Sequence, residues 1–418
     1  MADLQHNVNL LKYLTFQTIL THRTHIMLKL LIVADDFTGA LDSGVQFASL
    51  GAAVKVVTSS QYDISGVSGL DVLVFDAETR HKDSHTAYKT VYDFVKRAGA
   101  EFVYKKTDSG LRGNIGAELA GAMDALDLEE MAFIPAFPAM SRVTRNGVHY
   151  INGVPVAQSM FGSDPFEPVK YSDVREIIAS TTDKQGITVY DAETQGDMVA
   201  IAGKLGHKGL RLTAGCAGFA GVLAHVLGYH GKHKEPDDMP EQFVMLCGSV
   251  NPVTRAQMDY AKYHDFVYRT LSPEQKLNPS WPGSPECHEA AKKWLEEFSG
   301  SHAILDANNP NETEQTEEYI RTHGLTIEQV RVNISRAIAG AGKALMDEGL
   351  DARLMCVGGD TLLALMEAVG IHELVPVCEE ELGVVLTSFT YSGKKYYIMT
   401  KSGGFGEKGL LVELAGKR

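Results

Sequence analysis

Two adjacent carboxylates, Asp35 and Asp36, stand at the end of the apolar run Leu31-Ile32-Val33, and a helical pattern opens just beyond them at Gly39 and Ala40. A buried strand that ends in acids and turns into a helix presents polar groups to a ligand, because ligands of open α/β sheets sit beyond the carboxyl ends of the strands. Capping the helix would need only one of the two acids. Further polar clusters follow later apolar runs: Asp76 to Arg80, Lys106 to Ser109, and Asp191 to Thr194. In a parallel sheet these clusters share one edge, which predicts a cleft lined with carboxylates, hydroxyls and two arginines, Arg80 and Arg112. Such a lining suits a hydroxylated substrate.

A different chemistry is written into the second half. Val244 to Cys247 leads into Gly248-Ser249-Val250-Asn251, Leu354 to Val357 into Gly358-Gly359-Asp360-Thr361, and Tyr396 to Thr400 into Lys401-Ser402-Gly403-Gly404-Phe405-Gly406. Glycines let backbone amides approach a phosphate, and a helix N-terminus adds partial positive charge. Three such turns after three strands of one domain predict a nucleotide-phosphate site. A polar half for a hydroxylated substrate and a glycine-rich half for a nucleotide together point to phosphoryl transfer.

Two glycine motifs read otherwise. Gly404 to Gly409, GFGEKG, fits the GxGxxG pattern after a strand. Only nine residues follow it, too few for the helix, second strand and ribose-binding acid of a dinucleotide site, so an NAD-dependent sugar-acid dehydrogenase is the remote alternative. Gly340-Ala341-Gly342-Lys343 lacks the leading glycine and trailing Ser/Thr of a phosphate loop and sits in a helical pattern with Ile334, Ile338 and Leu345 on one face.

The elements that must position these residues follow an α/β rhythm from Met27 to about Tyr229. Strands are expected at 28–34, 53–58, 71–75, 101–106, 131–135, 187–190 and 209–213. Residues 136–168, rich in proline and glycine, read as a long irregular excursion carrying Arg142, Arg145, His149 and Asp164. The charged, proline-containing stretch 231–241 reads as a linker. Beyond it, strands are expected at 243–247, 302–306, 353–357, 384–389 and 395–400, helices near 252–263, 286–299, 326–348 and 361–369, and a hairpin turn at 391–394. The expectation is two α/β domains, 27–230 and 242–418, with largely parallel or mixed sheets and the active site in the interdomain cleft. Residues 1–26 form an N-terminal extension, disordered or amphipathic, with Met27 as the start of the folded part.

Composition narrows the partners. At 418 residues, two hydrophobic cores are the default. With 44% apolar and 22% charged residues the chain reads as a soluble globular protein without a membrane span. Its net charge of -14, from 39 basic and 53 acidic residues, argues against nucleic acid and anionic membrane as partners. Five widely spaced cysteines without a CxxC pair argue for reduced thiols in the cytoplasm. No His or Cys cluster has metal-ligand spacing.

The wording of several motifs resembles one family. VADDFTGALDSG, TDSGLRGN from Thr107 to Asn114, PAFPAMSRVTRNG, CGSVNPVTRAQ from Cys247 to Gln257, GGDT and KSGGFG are similar to the four-carbon acid sugar kinases, from about Lys29 to the C-terminus. The segment following Asp36 resembles members that phosphorylate the terminal hydroxyl of D-threonate with ATP. Related members act on D-erythronate or 3-oxo-tetronates. The resemblance implies substrate contacts at Asp36, Arg80, Ser109, Gly110, Leu111 and Arg112, and ATP contacts at Ser249, Gly358, Gly359, Asp360, Thr361 and Gly403. It also implies dimerisation. A tetronate carboxylate would pair with the forked guanidinium of Arg80 or Arg112 while Asp36 accepts from hydroxyls. Asp36 and Asp360 are the two candidates for the catalytic base. Asp36 is assigned to the acceptor hydroxyl and Asp360 to the metal-phosphate side, holding Mg2+ through water. Lys106 or Lys401 could neutralise phosphate charge, with a solvated surface role as the alternative.

Overall fold

In Leu30–Ala34 (β1) every residue is apolar and buried, as expected for a strand of a parallel sheet covered on both faces. The structure is a computed structural model that describes residues 28–64, 69–164, 167–233, 235–401 and 404–416. The N-terminal extension and Gly403 lie outside the described residues. The chain divides into two units, Met1–Lys234 and Glu235–Arg418.

In the first unit β1 is joined by β2 (Val54–Val57), β3 (Val72–Asp76), β4 (Phe102–Lys106), β5 (Met131–Ile134), β9 (Ile187–Val189) and β10 (Leu212–Gly215). Their order is β2-β3-β1-β4-β10-β5-β9, all parallel. Helices Ser84–Ala98 and Ile115–Leu126 share a core with Leu31, Val33, Leu73, Phe75 and Val103. Helix Phe37–Ala48 lies on the other face, where Gly44 sits close over Val54, Val56 and Val74. The helices after β1 and β4 therefore leave on opposite sides, which opens a crevice at the carboxyl ends of these neighbouring strands. Register places Ala34 beside both Asp76 and Lys106, so the segments after β1, β3 and β4 start level with one another.

Residues 136–168 are more regular than their composition suggests. Arg142–Arg145 (β6), Val148–Ile151 (β7) and Val154–Pro155 (β8) form an antiparallel three-stranded sheet. Its turns use Asn146, Gly147, Asn152 and Gly153 at positive φ, which is the turn chemistry of tight hairpins. The Asp191–Thr194 cluster serves this sheet. Asp191 accepts from Asn146 and Gly147 N–H, and Glu193 pairs with Arg145. Following β9, it is separated from β4 by two strands, so it does not join the acids after β1 and β3.

The second unit has the order β12-β13-β11-β14-β17-β16-β15, with β11 Phe243–Cys247, β12 Val267–Thr270, β13 Ala303–Asp306, β14 Arg353–Val357, β15 Glu373–Glu381, β16 Val384–Tyr391 and β17 Lys394–Lys401. The first five are parallel, and β16 is antiparallel to both neighbours. Ser392 and Gly393, both at positive φ, link the paired residues Tyr391 and Lys394. Sequence reading passed over β12 and β15. The first is only half-buried, and the second carries Pro376, a run of acids and irregular pairing, so neither shows the usual strand pattern. It also passed over helices Thr313–His323, which buries no residue, and Leu410–Gly416. Among the described residues no helix is long and apolar enough to cross a membrane. All five cysteines are free and buried.

Candidate active site

Asp36 both caps and pairs. Its side chain accepts from Gly39 N–H at 3.0 Å as the N-cap of helix Phe37–Ala48, and its Oδ1 lies 2.8 Å from Arg80 Nη2. Arg80 also donates from Nε to Asp35 Oδ2 at 2.9 Å and faces Asp108 Oδ1 at 3.8 Å. Three aspartates from two strand ends thus share one guanidinium before any substrate arrives. Burial opposes charge on Asp35, but Arg80, Lys106 and Lys105 outweigh it and hold the carboxyl below its usual range. Asp108 behaves alike: burial is overcome by Arg80 and Arg112, which leaves it strongly acidic.

The segment after β4 is locked into one shape. Leu111, buried, takes φ 60°, a costly conformation for a non-glycine residue and a mark of a backbone fixed by its surroundings. A Cβ on Gly110 would meet the Phe161 ring at 2.5 Å. Arg112 holds Asp108 through Nε at 2.7 Å and Asp164 through Nη1 at 3.0 Å, and its guanidinium covers Phe161 at 5.1 Å. Arg142 donates to Ser109 Oγ and also lies over Phe161, at 5.3 Å. His149 is buried, faces Thr144 Oγ1 through Nδ1 and donates from Nε2 to the Ser109 carbonyl at 3.1 Å; desolvation pulls its pKa down to about 4, so it is neutral. Asn114 donates to the carbonyls of Thr79 and Lys82, tying this segment to the one after β3. Of the excursion residues, Arg142, His149 and Asp164 therefore reach the site, and Arg145 does not.

Underneath lies a buried pair missed in the sequence, Lys105 with Glu118 at 2.8 Å. Lys106 is buried too, with its Nζ packed where a Cβ on Gly39 would stand. Its strand position could have signalled this, since β4 is buried throughout, charges included.

The second unit gathers its turns at one sheet edge. Gly358, at φ 92° with open space where a Cβ would stand, donates its N–H to the Lys401 carbonyl at 2.9 Å and starts helix Gly359–Val369 with no side-chain cap. The first amides of that helix are left for a ligand or water. Ser249 Oγ accepts from Asn251 N–H at 3.2 Å, and a Cβ on Gly248 would lie 3.5 Å from Thr361 Oγ1. Thr361 is buried, whereas Asp360 is exposed and pairs with Arg331 at 2.7 Å. Lys401 is buried, with Nζ 3.4 Å from Thr254 Oγ1; desolvation pulls its pKa down to about 8. Gln257, which sequence reading did not single out, donates to the carbonyls of Phe405, Gly406 and Glu407 and so holds the last turn. Gly340 lies mid-helix, where a Cβ would meet Pro282 at 2.6 Å, so GAGK is a packing motif. Among the described residues no group of three or more His, Cys, Asp or Glu is arranged to hold a metal ion.

Residues 30–186 match the sugar-binding N-terminal domain family and residues 244–411 the nucleotide-binding C-terminal domain family, a pairing that defines an ATP-dependent carbohydrate kinase. The chain belongs to the four-carbon acid sugar kinase family. It is 26% identical to a D-threonate kinase of Salmonella typhimurium over 92% of this chain and 97% of that protein. It is 24% identical to a D-erythronate kinase of Heliobacterium modesticaldum (82% and 86%) and 24% identical to a 3-oxo-tetronate kinase of Pseudomonas savastanoi pv. phaseolicola (92% and 97%). Two crystal structures share the fold: a Salmonella typhimurium LT2 protein provisionally described as a tRNA synthase (TM-score 0.78, 20% identity, 94% of this chain and 99% of that one) and the Haemophilus influenzae protein HI1011 (TM-score 0.72, 18% identity, 93% and 99%).

Proposed function

We propose that the protein uses ATP to phosphorylate the terminal (4-) hydroxyl of a four-carbon sugar acid, with D-threonate as substrate and 4-phospho-D-threonate as product. The observation that carries the acceptor side is the convergence of Asp36, Arg80 and the Ser109–Arg112 segment at the level ends of β1, β3 and β4. Asp36 accepts the hydroxyl and takes its proton. Its carboxylate is aimed by Gly39 N–H and Arg80, so little reorganisation is needed when substrate arrives. The substrate carboxylate is received by Arg112 or Arg80 and by Ser109, Gly110 and Leu111 of the rigid segment.

On the donor side, Ser249, the uncapped turn Gly358-Gly359-Asp360-Thr361 and Gly403 receive the ATP phosphates, with Lys401 supplying charge. Asp360 offers a hard oxygen donor beside this cradle, as Mg2+ prefers, and Arg331 competes for it. Mg2+ bound with the nucleotide neutralises charge on the phosphates. Cytoplasmic location, supported by five free buried cysteines, and homodimerisation complete the proposal.

The test is a coupled ADP-release assay with Mg2+ over D-threonate, D-erythronate and 3-oxo-tetronates. Turnover highest on D-threonate is expected. Preference for another tetronate moves the substrate, and absence of any acid-dependent ADP release sinks the kinase reading. Reduction of a nicotinamide cofactor with the same acids would favour a dehydrogenase instead.

A further inference from the structure

Two acids at the end of β3 have no part in the scheme so far. Asp76 is 1% exposed. Its Oδ1 accepts Glu78 N–H at 3.3 Å, whereas its Oδ2 is sealed from solvent and has no hydrogen-bond partner among the described residues. Glu78 takes φ 46°, an uncommon conformation for a non-glycine residue. Its Oε1 accepts Phe37 N–H at 3.2 Å. That N–H belongs to the residue directly after Asp36 and is one of the orphan donors of the helix start. Glu78 therefore pins the backbone beside Asp36, while Gly39 N–H pins the Asp36 side chain. Asp76 and Glu78 are joined through the contact of Asp76 Oδ1 with the Glu78 N–H.

Three carboxyls now crowd one place: Asp76 and Glu78 from the β3 segment and Asp36 from the helix start. The cation facing them is Arg80, already divided among Asp35, Asp36 and Asp108, and Lys106 Nζ lies by Gly39 of the same helix start. Like-charged carboxylates in a shared buried site cannot all ionise, and the most buried one keeps its proton. A neutral Asp76 also eases the burial of its orphaned oxygen, because an uncharged carboxyl loses far less than a carboxylate on leaving water. We propose that Asp76 and Glu78 are a proton-sharing pair, with the proton resting on the more buried Asp76, and that this pair is the positioning device for Asp36. Burial, then Glu78 and Asp36, push the Asp76 carboxyl well above its usual range, and burial and Asp36 push Glu78 up as well. This role rests on Asp36 acting on the acceptor hydroxyl.

The test compares wild type with Asp76→Asn and Asp76→Ala in the full chain. An acid whose pKa is raised by folding binds more protons folded than unfolded, so it weakens folding as pH rises from about 4 toward the folded value. Asparagine keeps a donor and cannot ionise. The stability of Asp76→Asn relative to wild type should therefore grow by about tenfold in the folding equilibrium per pH unit above about 4. A pH-independent difference overturns the shared proton. Carbon-13 NMR of aspartate-labelled wild type, with Asp76→Asn for assignment, reads the same titration without relying on a variant's stability. An Asp76 signal that titrates in the ordinary carboxylate range overturns it too. In kinetics, Asp76→Ala should lower kcat by about tenfold or more, with ATP KM unchanged, and Asp76→Asn should restore most of that loss. Asparagine that fails to rescue while folding normally overturns the positioning role. The first two readouts need no substrate, so they stand apart from any failure of the tetronate-kinase reading.

Discussion

The two units offer different materials for the recognition proposed above. The first crowds charged side chains: Asp35, Asp36 and Asp108 around Arg80, Arg112 between Asp108 and Asp164, and a buried Lys105–Glu118 pair beneath. The second relies on backbone: uncapped helix amides after Gly358 and tight glycine turns, with Lys401 as a buried charge near them. Side chains can be aimed at each hydroxyl of a small acid, which gives selectivity. Backbone amides match any polyphosphate and change little with substrate. Divergence among tetronate kinases is therefore expected in the side-chain site.

The largest effect that would break this comparison is at Asp36. Asp36→Asn is expected to lower kcat by about 10²- to 10⁴-fold, the range for a lost general base, with the fold intact by circular dichroism. Near-full turnover at saturating substrate would remove it as the base. Arg80→Ala comes next, and the structure changes its meaning. Beyond a raised KM for the acid, it leaves three carboxylates around a missing cation, so a loss of about 3–5 kcal/mol in unfolding free energy is expected. An unchanged denaturation midpoint would show that Arg80 does not organise the cluster.

Lys401 should give the smallest effect and sharpen the contrast from the other side. Its lowered value of about 8 means the cation is lost as pH rises through that range in the free enzyme. ATP affinity should fall above pH of about 8 in wild type and stay level in Lys401→Arg, measured by nucleotide titration without acceptor. A wild-type profile flat to higher pH would take Lys401 out of phosphate binding.

Much of this site could be read from strand ends. Asp35-Asp36, Asp76 to Arg80 and Lys106 to Arg112 follow apolar runs that form neighbouring parallel strands, and period and burial alone predict such strands. The same logic overreached at Asp191 to Thr194, because a strand's place in the sheet order is not written in its own residues. The hairpin β6–β7 was hidden by prolines and glycines that read as irregular, although its positive-φ Asn-Gly pairs are turn signals. For Lys106 and Lys401 the residue type left phosphate neutralisation and a solvated surface role both open, and their burial removes the second.

By itself the sequence determined the alternation of strands and helices, the polar and glycine-rich turns that end the strands, and the motif wording that marks the family. These are local properties, set by a residue and its near neighbours in the chain. Tertiary structure alone decided that Arg80 is shared by three aspartates, that Asp76 is sealed beside Glu78, and that Gln257 holds the last turn. Charge state and hydrogen-bond partnership are sums over groups from distant segments, and only the register of parallel strands brings residues 35, 76 and 108 to one level.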